Sequence, residues 1–306
     1  MSLQANHSTL AGSPFNLADD ELYNRWREER LQYIRPTLVD LFVDIEDPYQ
    51  LSSDEKAAIL QRCDRFNMVL YRLGDANVQD KTLVHALGRQ LGLNHLDANL
   101  RADEDSVSSL EVREQAGNQY IPYTNKALSW HTDGYYNTLD KQIFAIIMLC
   151  VRPAVTGGEN LLLNPDNVYI ALRDENPAYI DALMHPEAMT IPENIESGEV
   201  IRQAQTGPVF MVRPGKEQAE TGRLHMRFSA RKRNIIWRDT DETREAVEMI
   251  NRLMADAENV VKVALKAGEG VICNNVLHNR SGFADSESQK RLIYRARYYD
   301  TVKSEK

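Results

Sequence analysis

The sequence has few of the residues that build disulfide frameworks or nucleic-acid surfaces. It contains three cysteines in 306 residues. Cys63, Cys150 and Cys273 are widely spaced, which argues against a disulfide framework and against a cysteine-based metal site. Acidic residues outnumber basic ones by 45 to 36, which gives a formal net charge of −9. This charge excludes a general affinity for nucleic acid.

Long hydrophobic runs are also absent. The apolar stretch at 143–151 is well short of the roughly 18 residues that a membrane span needs. Residues 1–7 lack the charged and apolar pattern of a signal peptide. The sequence therefore predicts a cytoplasmic protein with no membrane partner. Its hydrophobic content of 42% and its length are typical of a globular protein with a substantial core.

Periodicity predicts helices in the first hundred residues and mostly strands after them. Apolar residues at helical spacing predict helices over 19–35, from Ser52 through Leu60, over 82–91, within 165–183 and over 240–257. Short apolar or β-branched runs predict strands over 67–73, 107–112, 119–123, 142–152, 159–163, 209–212, 225–228, 260–265, 270–273 and 292–298, besides one that carries His131.

Short strands with several helices and no βαβ alternation predict a mainly β fold with helical insertions. This is an α+β protein whose core is a β-sandwich or distorted jelly roll. Residues 1–17 are polar and predict a flexible N-terminal tail. No repeat or linker divides residues 18–306, so we expect one domain, with a helical part at about 18–100 and a β-roll core at about 105–300.

The stretch Trp130-His131-Thr132-Asp133 places an imidazole and a carboxylate two residues apart. On an extended strand, residues i and i+2 project from the same face, so both side chains are expected to reach one point. His278, near the end of the chain, offers a second imidazole. Two imidazoles and one carboxylate form the facial triad that holds Fe(II) and leaves coordination positions open. Zinc accepts the same ligands, and structural roles for these residues are the alternative.

The order of the surrounding motifs resembles one family. The motifs are Trp130-His131-Thr132-Asp133, Thr156-Gly157-Gly158-Glu159, Gly268-Glu269-Gly270, Asn275, His278-Asn279-Arg280, Arg291 and Arg295. Over roughly residues 65–300 the chain resembles the taurine dioxygenase/TfdA-like, Fe(II)- and 2-oxoglutarate-dependent oxygenases. The resemblance implies a double-stranded β-helix (jelly roll) core and an Fe(II) site at His131, Asp133 and His278. It also implies 2-oxoglutarate and dioxygen as co-substrates.

By resemblance, Arg291 binds the far carboxylate of 2-oxoglutarate, for which the planar guanidinium is well suited. Arg295 matches a residue near the iron that contacts the co-substrate or an anionic substrate. The family usually has a hydroxyl residue at the position of Asn160, whose amide can donate the same hydrogen bond. The alternative for the arginines at 291, 295 and 297 is a basic strand that faces outward.

The resemblance implies oxidation of a small organic substrate, by hydroxylation or a related reaction, with release of succinate and CO2. Residues 126–129 lack the asparagine-rich stretch of the taurine enzymes, so taurine is not the predicted substrate. Tyrosines could pack an organic body or a quaternary ammonium group, and arginines could hold an anion. The candidate substrate residues are Tyr135, Tyr136, Asn137, Arg227 and Arg295, with Tyr120 and Tyr123 beside them.

Two further interpretations are open at this stage. The rival function is a non-catalytic metal-binding β-roll protein, which would act as a sensor or a structural element. The helical N-terminal part and the helix at 240–257 could support the interface of a homo-oligomer.

Overall fold

The computed structural model describes residues 10, 12–74, 78–97, 106–112, 121–196, 198–213, 222–231 and 233–304. The chain forms two compact units, each made of several segments. The first unit contains Met1–Ile34, Gly134–Gln142 and Leu163–Asn259, and the second contains Arg35–Asp133, Ile143–Leu162 and Val260–Lys306. The helices in the described part are all too short or too polar to cross a bilayer. The single domain expected over 18–306 stays a prediction.

Helices and strands both contribute extensively to the described part, which confirms the predicted mixture. The helices are α1 (Asp20–Leu31), α2 (Leu38–Leu41), α3 (Ser53–Phe66), α4 (Thr82–Gln90), α5 (Pro165–Glu175), α6 (Pro177–Met184) and α7 (Asp241–Ala255). The strands are β1 (Phe42–Ile45), β2 (Met68–Leu73), β3 (Ser108–Leu110), β4 (Leu128–His131), β5 (Ala145–Arg152), β6 (Thr156–Gly157), β7 (Asn160–Leu163), β8 (Met189–Ile191), β9 (Asn194–Glu196), β10 (Glu199–Arg202), β11 (Gln205–Gly207), β12 (Phe210–Arg213), β13 (Arg223–Met226), β14 (Ile236–Trp237), β15 (Val261–Val263), β16 (Glu269–Cys273), β17 (Leu277–Arg280), β18 (Phe283–Ala284) and β19 (Leu292–Tyr298).

Capping residues begin α3 and α7 where the sequence predicts these helices. The hydroxyl of Ser52 accepts from the backbone N–H of Glu55, and the Glu55 carboxylate accepts from the N–H of Ser52, so α3 begins with a capping box. The hydroxyl of Thr240 caps α7 in a similar way. The region 165–183 is two helices, because Asn176 ends α5 and Pro177 begins α6.

The second unit contains a six-stranded sheet in the order β1-β2-β16-β5-β19-β3 and a four-stranded sheet in the order β15-β7-β17-β4. Strand β5 lies between β16 and β19, and its residues from Ala145 to Val151 are all buried. This confirms the central strand that the apolar run predicts. Side chains of β2, β5 and β19 pack with those of α3 and α4 in one hydrophobic core.

The four-stranded sheet joins segments that are distant along the chain. The sequence patterns did not predict β17, which pairs antiparallel with β4 and places His278 opposite His131. Strand β18 pairs with β6, so Phe283 lies opposite Gly157. These two pairings bring the end of the chain beside the predicted metal ligands and the Gly157-Gly158 turn.

The first unit combines α1, α5, α6 and α7 with three small sheets, which have the orders β10-β9, β11-β8-β14 and β12-β13. Of the flexible tail predicted over residues 1–17, residues 1–9 and 11 lie outside the described residues. Within its remainder, the ring of Phe15 is buried and packs against Trp26 and Tyr169, with ring centroids 5.1 and 5.5 Å away.

Two element predictions are wrong in their described parts. The strand expected at 119–123 is a 3-10 turn over Ile121–Tyr123, and Pro122 has no N–H to donate to a sheet. The other two residues of that predicted strand, 119 and 120, lie outside the described part. The helix expected at 19–35 ends at Leu31. The carbonyl of Ile34 accepts instead from the Asn167 amide, at 2.8 Å.

Candidate metal centre

The two predicted imidazoles lie side by side across β4 and β17. Their ring centroids are 4.3 Å apart. Nδ1 of His131 lies 2.9 Å from the carbonyl oxygen of Ser129, and Nδ1 of His278 lies 2.9 Å from that of Val276. Because a carbonyl oxygen can only accept, each Nδ1 carries the proton, and each Nε2 retains its lone pair. Both lone pairs are therefore available to a metal ion.

Asp133 follows β4 rather than lying on it. The strand ends at His131, and Asp133 is in the turn that comes next, so the argument from strand periodicity is wrong for this residue. The carboxylate still reaches the imidazoles: its Oδ1 is 3.4 Å from Nε2 of His131 and 3.9 Å from Nε2 of His278. One potential ligand atom from each of the three residues lies within 4.8 Å of the others.

Charges around the three residues favour the protonation states that a metal needs. Burial opposes ionisation of Asp133, but the positive charge of Arg295 outweighs it and holds the pKa of Asp133 well below its usual value. Burial and the neighbouring His131 lower the pKa of His278 to about 4. A carboxylate and neutral imidazoles are the forms that bind cations. The donor set and its geometry therefore fit a divalent iron ion.

Asn275, which belongs to the motif set but had no predicted role, is a residue of this centre. It is buried just before β17, and its side-chain oxygen accepts from the backbone N–H of Asp133 at 2.8 Å. Its side-chain nitrogen donates to the carbonyl oxygens of Asp133 and Ile143. The pair Asn274-Asn275 was visible in the sequence, but its contacts depend on the fold.

Arg291 lies just before β19 and is 5% exposed. Its guanidinium carbon is 5.2 Å from the centre of the Phe283 ring, and no described residue accepts a hydrogen bond from the guanidinium. Burial lowers the pKa of Arg291. Gly158 lies alongside, with φ of +74°, and a Cβ atom there would be 3.3 Å from the Arg291 Nε. This buried cation with free donors is suited to a carboxylate.

Arg280 lies near this cation, and Asn160 belongs to the same unit. Asn160 is buried at the start of β7, a neighbour of β17. Arg280 had no predicted role. Its guanidinium carbon lies 4.8 Å from the centre of the same Phe283 ring. Its guanidinium donates to the carbonyl oxygens of Pro122, Thr124 and Lys126. Arg280 therefore holds the segment that leads into β4.

Four of the predicted substrate residues belong to the first unit. The rings of Tyr135 and Tyr136 are in edge contact, with centroids 5.1 Å apart. The amide of Asn137 donates to the carbonyl oxygen of Lys141 within its own turn. Arg227 is fully buried, and its guanidinium donates to four backbone carbonyls, those of Tyr135, Met189, Gly207 and Gln205. Tyr120 lies outside the described part of the chain.

Comparisons with known proteins show which family the chain resembles. A family model described as taurine catabolism dioxygenase TauD, TfdA family matches residues 32–297. A uridine-5'-phosphate dioxygenase of Streptomyces sp. is 27% identical over 212 residues, which cover 67% of this chain and 73% of that protein.

Two solved structures share the fold. An asparagine oxygenase in complex with Fe(II), 3-hydroxyasparagine and succinate has a TM-score of 0.58 and 16% identity, over 80% of this chain and 78% of that one. The non-haem iron oxygenase OrfP in complex with Fe and alpha-ketoglutaric acid has a TM-score of 0.59 and 14% identity, over 82% and 81% of the two chains.

The family match spans most of the chain and confirms the resemblance on which the motifs were interpreted. The protein belongs to the taurine catabolism dioxygenase TauD, TfdA family, and it is a non-haem Fe(II)- and 2-oxoglutarate-dependent dioxygenase.

Proposed function

We propose that the enzyme oxidises a small organic substrate, by hydroxylation or a related reaction, while 2-oxoglutarate is converted to succinate and CO2. His131, Asp133 and His278 bind the Fe(II). Arg291 and Asn160 bind the far end of 2-oxoglutarate, and Arg295 lies where an anion next to the metal would meet it. The candidate residues for binding the organic substrate are Tyr135, Tyr136, Asn137 and Arg227.

The observation that carries the proposal is the arrangement of the two imidazoles and the carboxylate. Each Nδ1 is committed to a backbone carbonyl, so each Nε2 is left facing the Asp133 carboxylate. Three buried groups of this kind, without a metal, would place lone pairs against one another. The arrangement becomes favourable when a cation binds them, and hydrogen bonds of this type fix the tautomer of metal-binding histidines.

Bound iron supplies the activation of dioxygen, and the protein supplies position and charge. Nδ1 of His131 and Nδ1 of His278 donate to backbone carbonyls, which leaves each Nε2 lone pair available to the metal. Arg291 neutralises one end of the dianionic co-substrate and, because it is buried, draws that end out of water. Asn160 donates an amide hydrogen bond to the same end. The protein's residues thereby orient the co-substrate relative to the three metal ligands.

The double-stranded β-helix core is part of this proposal. It is supported by a contact between residues of the two larger sheets' segments in the second unit. Arg295 on β19 of the six-stranded sheet contacts Asp133, which follows β4 of the four-stranded sheet. Side chains that point from two sheets toward one site are expected of a roll that encloses its ligands.

An anionic substrate, such as a phosphorylated nucleoside, is the substrate class to test first. The support is the name of the Streptomyces relative, a uridine-5'-phosphate dioxygenase. Succinate formation should be measured with uridine-5'-phosphate, uridine, and small acids and amines. Stimulation by the phosphate but not by uridine supports an anionic substrate. Stimulation by amines alone would contradict it and favour an aromatic cage at the tyrosines.

The central experiment is an anaerobic absorption titration with Fe(II) and then 2-oxoglutarate. A visible metal-to-ligand charge-transfer band is expected for the wild type. The band should be lost in Asp133→Ala and should need far more 2-oxoglutarate in Arg291→Ala. A wild type that binds iron but gives neither the band nor succinate would overturn the proposal. It would restore the rival function of a non-catalytic metal-binding protein, which the family match does not support.

A further inference from the structure

Asn275 binds the main chain of Asp133 as a neighbouring strand would. Its Oδ1 accepts from the Asp133 N–H at 2.8 Å, and its Nδ2 donates to the Asp133 carbonyl oxygen at 2.9 Å. Strand β4 has already ended at His131, so its ladder with β17 does not extend to Asp133. A single side-chain amide thus satisfies both buried backbone groups of this residue.

The same amide also contacts the point where the chain returns to the second unit. The chain leaves that unit after Asp133 and re-enters it at Ile143. Nδ2 of Asn275 donates its second hydrogen bond to the carbonyl oxygen of Ile143, at 2.6 Å. Asn275 therefore ties together both ends of the segment 134–142, which carries Tyr135, Tyr136 and Asn137.

The backbone at Asn275 explains why asparagine suits this place. Its φ is +49°, in the left-handed region, and the residue is 1% exposed. Asparagine and aspartate enter this region more readily than other residues with side chains. Aspartate, however, would lack the two N–H donors and would turn a carboxylate toward two carbonyl oxygens. Only an amide of this length provides one acceptor and two donors at this distance.

We propose that Asn275 is a positioning residue for the dioxygenase reaction. It fixes the main chain of Asp133, so that the carboxylate faces His131 and His278, and it fixes the spacing of the two ends of segment 134–142. The inference rests on the proposed function, because it assigns Asp133 to the metal. It adds a residue that contacts neither the metal nor the co-substrate.

The chain contains a matched control beside Asn275. The side chain of Asn274 accepts from the N–H of Val302 at 2.9 Å and donates to the carbonyl oxygen of Val302 at 3.0 Å. It therefore makes the same two-way contact with a backbone, but the backbone is that of the C-terminal segment. Both Asn275→Gly and Asn274→Gly remove a side-chain amide that binds a backbone segment. Only Asn275→Gly removes the hydrogen bonds to Asp133, so comparing the two variants isolates the effect of those bonds.

The test uses the full-length protein with two measurements. Glycine is chosen because it adopts φ of +49° without strain. Hydrogen–deuterium exchange of the metal-free protein should show faster exchange over 132–143 in Asn275→Gly, whereas Asn274→Gly should speed exchange only near its own contacts. In the anaerobic titration with 2-oxoglutarate, the Fe(II) affinity should fall roughly tenfold or more in Asn275→Gly and stay near the wild-type value in Asn274→Gly.

The outcomes distinguish failure of the inference from failure of the proposed function. Equal Fe(II) affinities for the two variants, or unchanged exchange over 132–143 in Asn275→Gly, would overturn the positioning role. If the wild type forms no complex with Fe(II) and 2-oxoglutarate, the proposed function fails. The exchange data then still show whether Asn275 fixes the backbone at Asp133 and Ile143. If Asn275→Gly does not fold, Asn275→Asp replaces it, because aspartate keeps the shape and removes both donors. The same two results are then expected.

Discussion

Arg295 makes an ion pair with Asp133, with Nη1 3.1 Å from Oδ2 and 3.3 Å from Oδ1. Both side chains are buried; Arg295 lies on β19 of the six-stranded sheet, and Asp133 follows β4 of the four-stranded sheet. The residues on either side of Arg295, Tyr294 and Ala296, face the hydrophobic core instead. Strand alternation therefore directs Arg295 toward the metal centre, and it is the cation nearest to a predicted metal ligand.

Replacing Arg295 should weaken co-substrate binding more than iron binding. The Arg295→Gln variant removes a positive charge that repels Fe(II) and attracts the dianionic 2-oxoglutarate. We expect roughly tenfold weaker 2-oxoglutarate binding in the anaerobic titration, which corresponds to one charge-assisted hydrogen bond, with Fe(II) affinity retained. If the variant instead binds Fe(II) more weakly, while its Fe(II)-loaded fraction binds 2-oxoglutarate normally, the role of Arg295 is to hold Asp133 and not to bind the co-substrate.

Arg291 should be the main determinant of co-substrate affinity. Its guanidinium is buried, and no described residue accepts a hydrogen bond from it, so it is free to pair with a carboxylate. In Arg291→Gln we expect 2-oxoglutarate affinity to fall roughly a hundredfold, since a bidentate charged pair is lost. Arg152→Gln is the control, because Arg152 donates to the Lys290 carbonyl oxygen at an exposed position. Equal affinities for the two variants would contradict the assignment of Arg291.

Gly158 should matter because it makes room for Arg291. In Gly158→Ala the new Cβ would lie 3.3 Å from the Arg291 Nε and 3.5 Å from the Phe283 Cβ, at a residue with φ of +74°. We expect weaker 2-oxoglutarate binding and a stability loss of about 1–2 kcal/mol from the backbone strain. Gly198→Ala is the control, because Gly198 has φ of +84° and no atom within 4 Å of its added Cβ.

The two glycine variants separate strain from crowding. Both should lower the urea midpoint by similar amounts, but only Gly158→Ala should raise the 2-oxoglutarate concentration needed for the charge-transfer band. Normal co-substrate binding by Gly158→Ala would indicate that Arg291 moves away from the added methyl group at little cost.

The grouping of His131, Asp133 and His278 could be predicted from the sequence because the motifs keep a recognisable order. Patterns near His278 did not predict β17, yet the motif order assigned the residue to the site that β17 creates. Helices with strong local signals, such as α3 with its capping box, could be predicted for a different reason. The information that specifies them lies within a few neighbouring residues.

Contacts between distant segments could not be predicted in this way. Asn275 and Asp133 are 142 positions apart, and nothing in either local pattern records their hydrogen bonds. The charge of Arg227 made it a candidate for holding an anionic substrate. Its guanidinium donates to four backbone carbonyls, and three of them, those of Met189, Gln205 and Gly207, belong to short strands that the hydrophobic pattern did not predict. Whether Arg227 also contacts a substrate stays a prediction.

His225 should make the first unit less stable in acid. It is buried on β13, and burial together with the charges of Arg213 and Arg227 lowers the pKa of His225 to about 3. In the unfolded chain its pKa is about 6.5. Between these values the unfolded state binds a proton and the folded state does not, so stability falls as pH decreases from about 6.5 toward 3. The loss is about 1.4 kcal/mol per pH unit.

The test compares urea unfolding of the wild type and His225→Gln at pH 7.5 and 5.0. The glutamine does not titrate, so the wild type should lose about 2 kcal/mol more than the variant over this interval. His185→Gln is the control for replacing a histidine of the same unit, because His185 is partly exposed. Parallel acid dependence of the wild type and His225→Gln would mean that the folded chain protonates His225 as readily as the unfolded one, and that this buried imidazole does not set the acid limit.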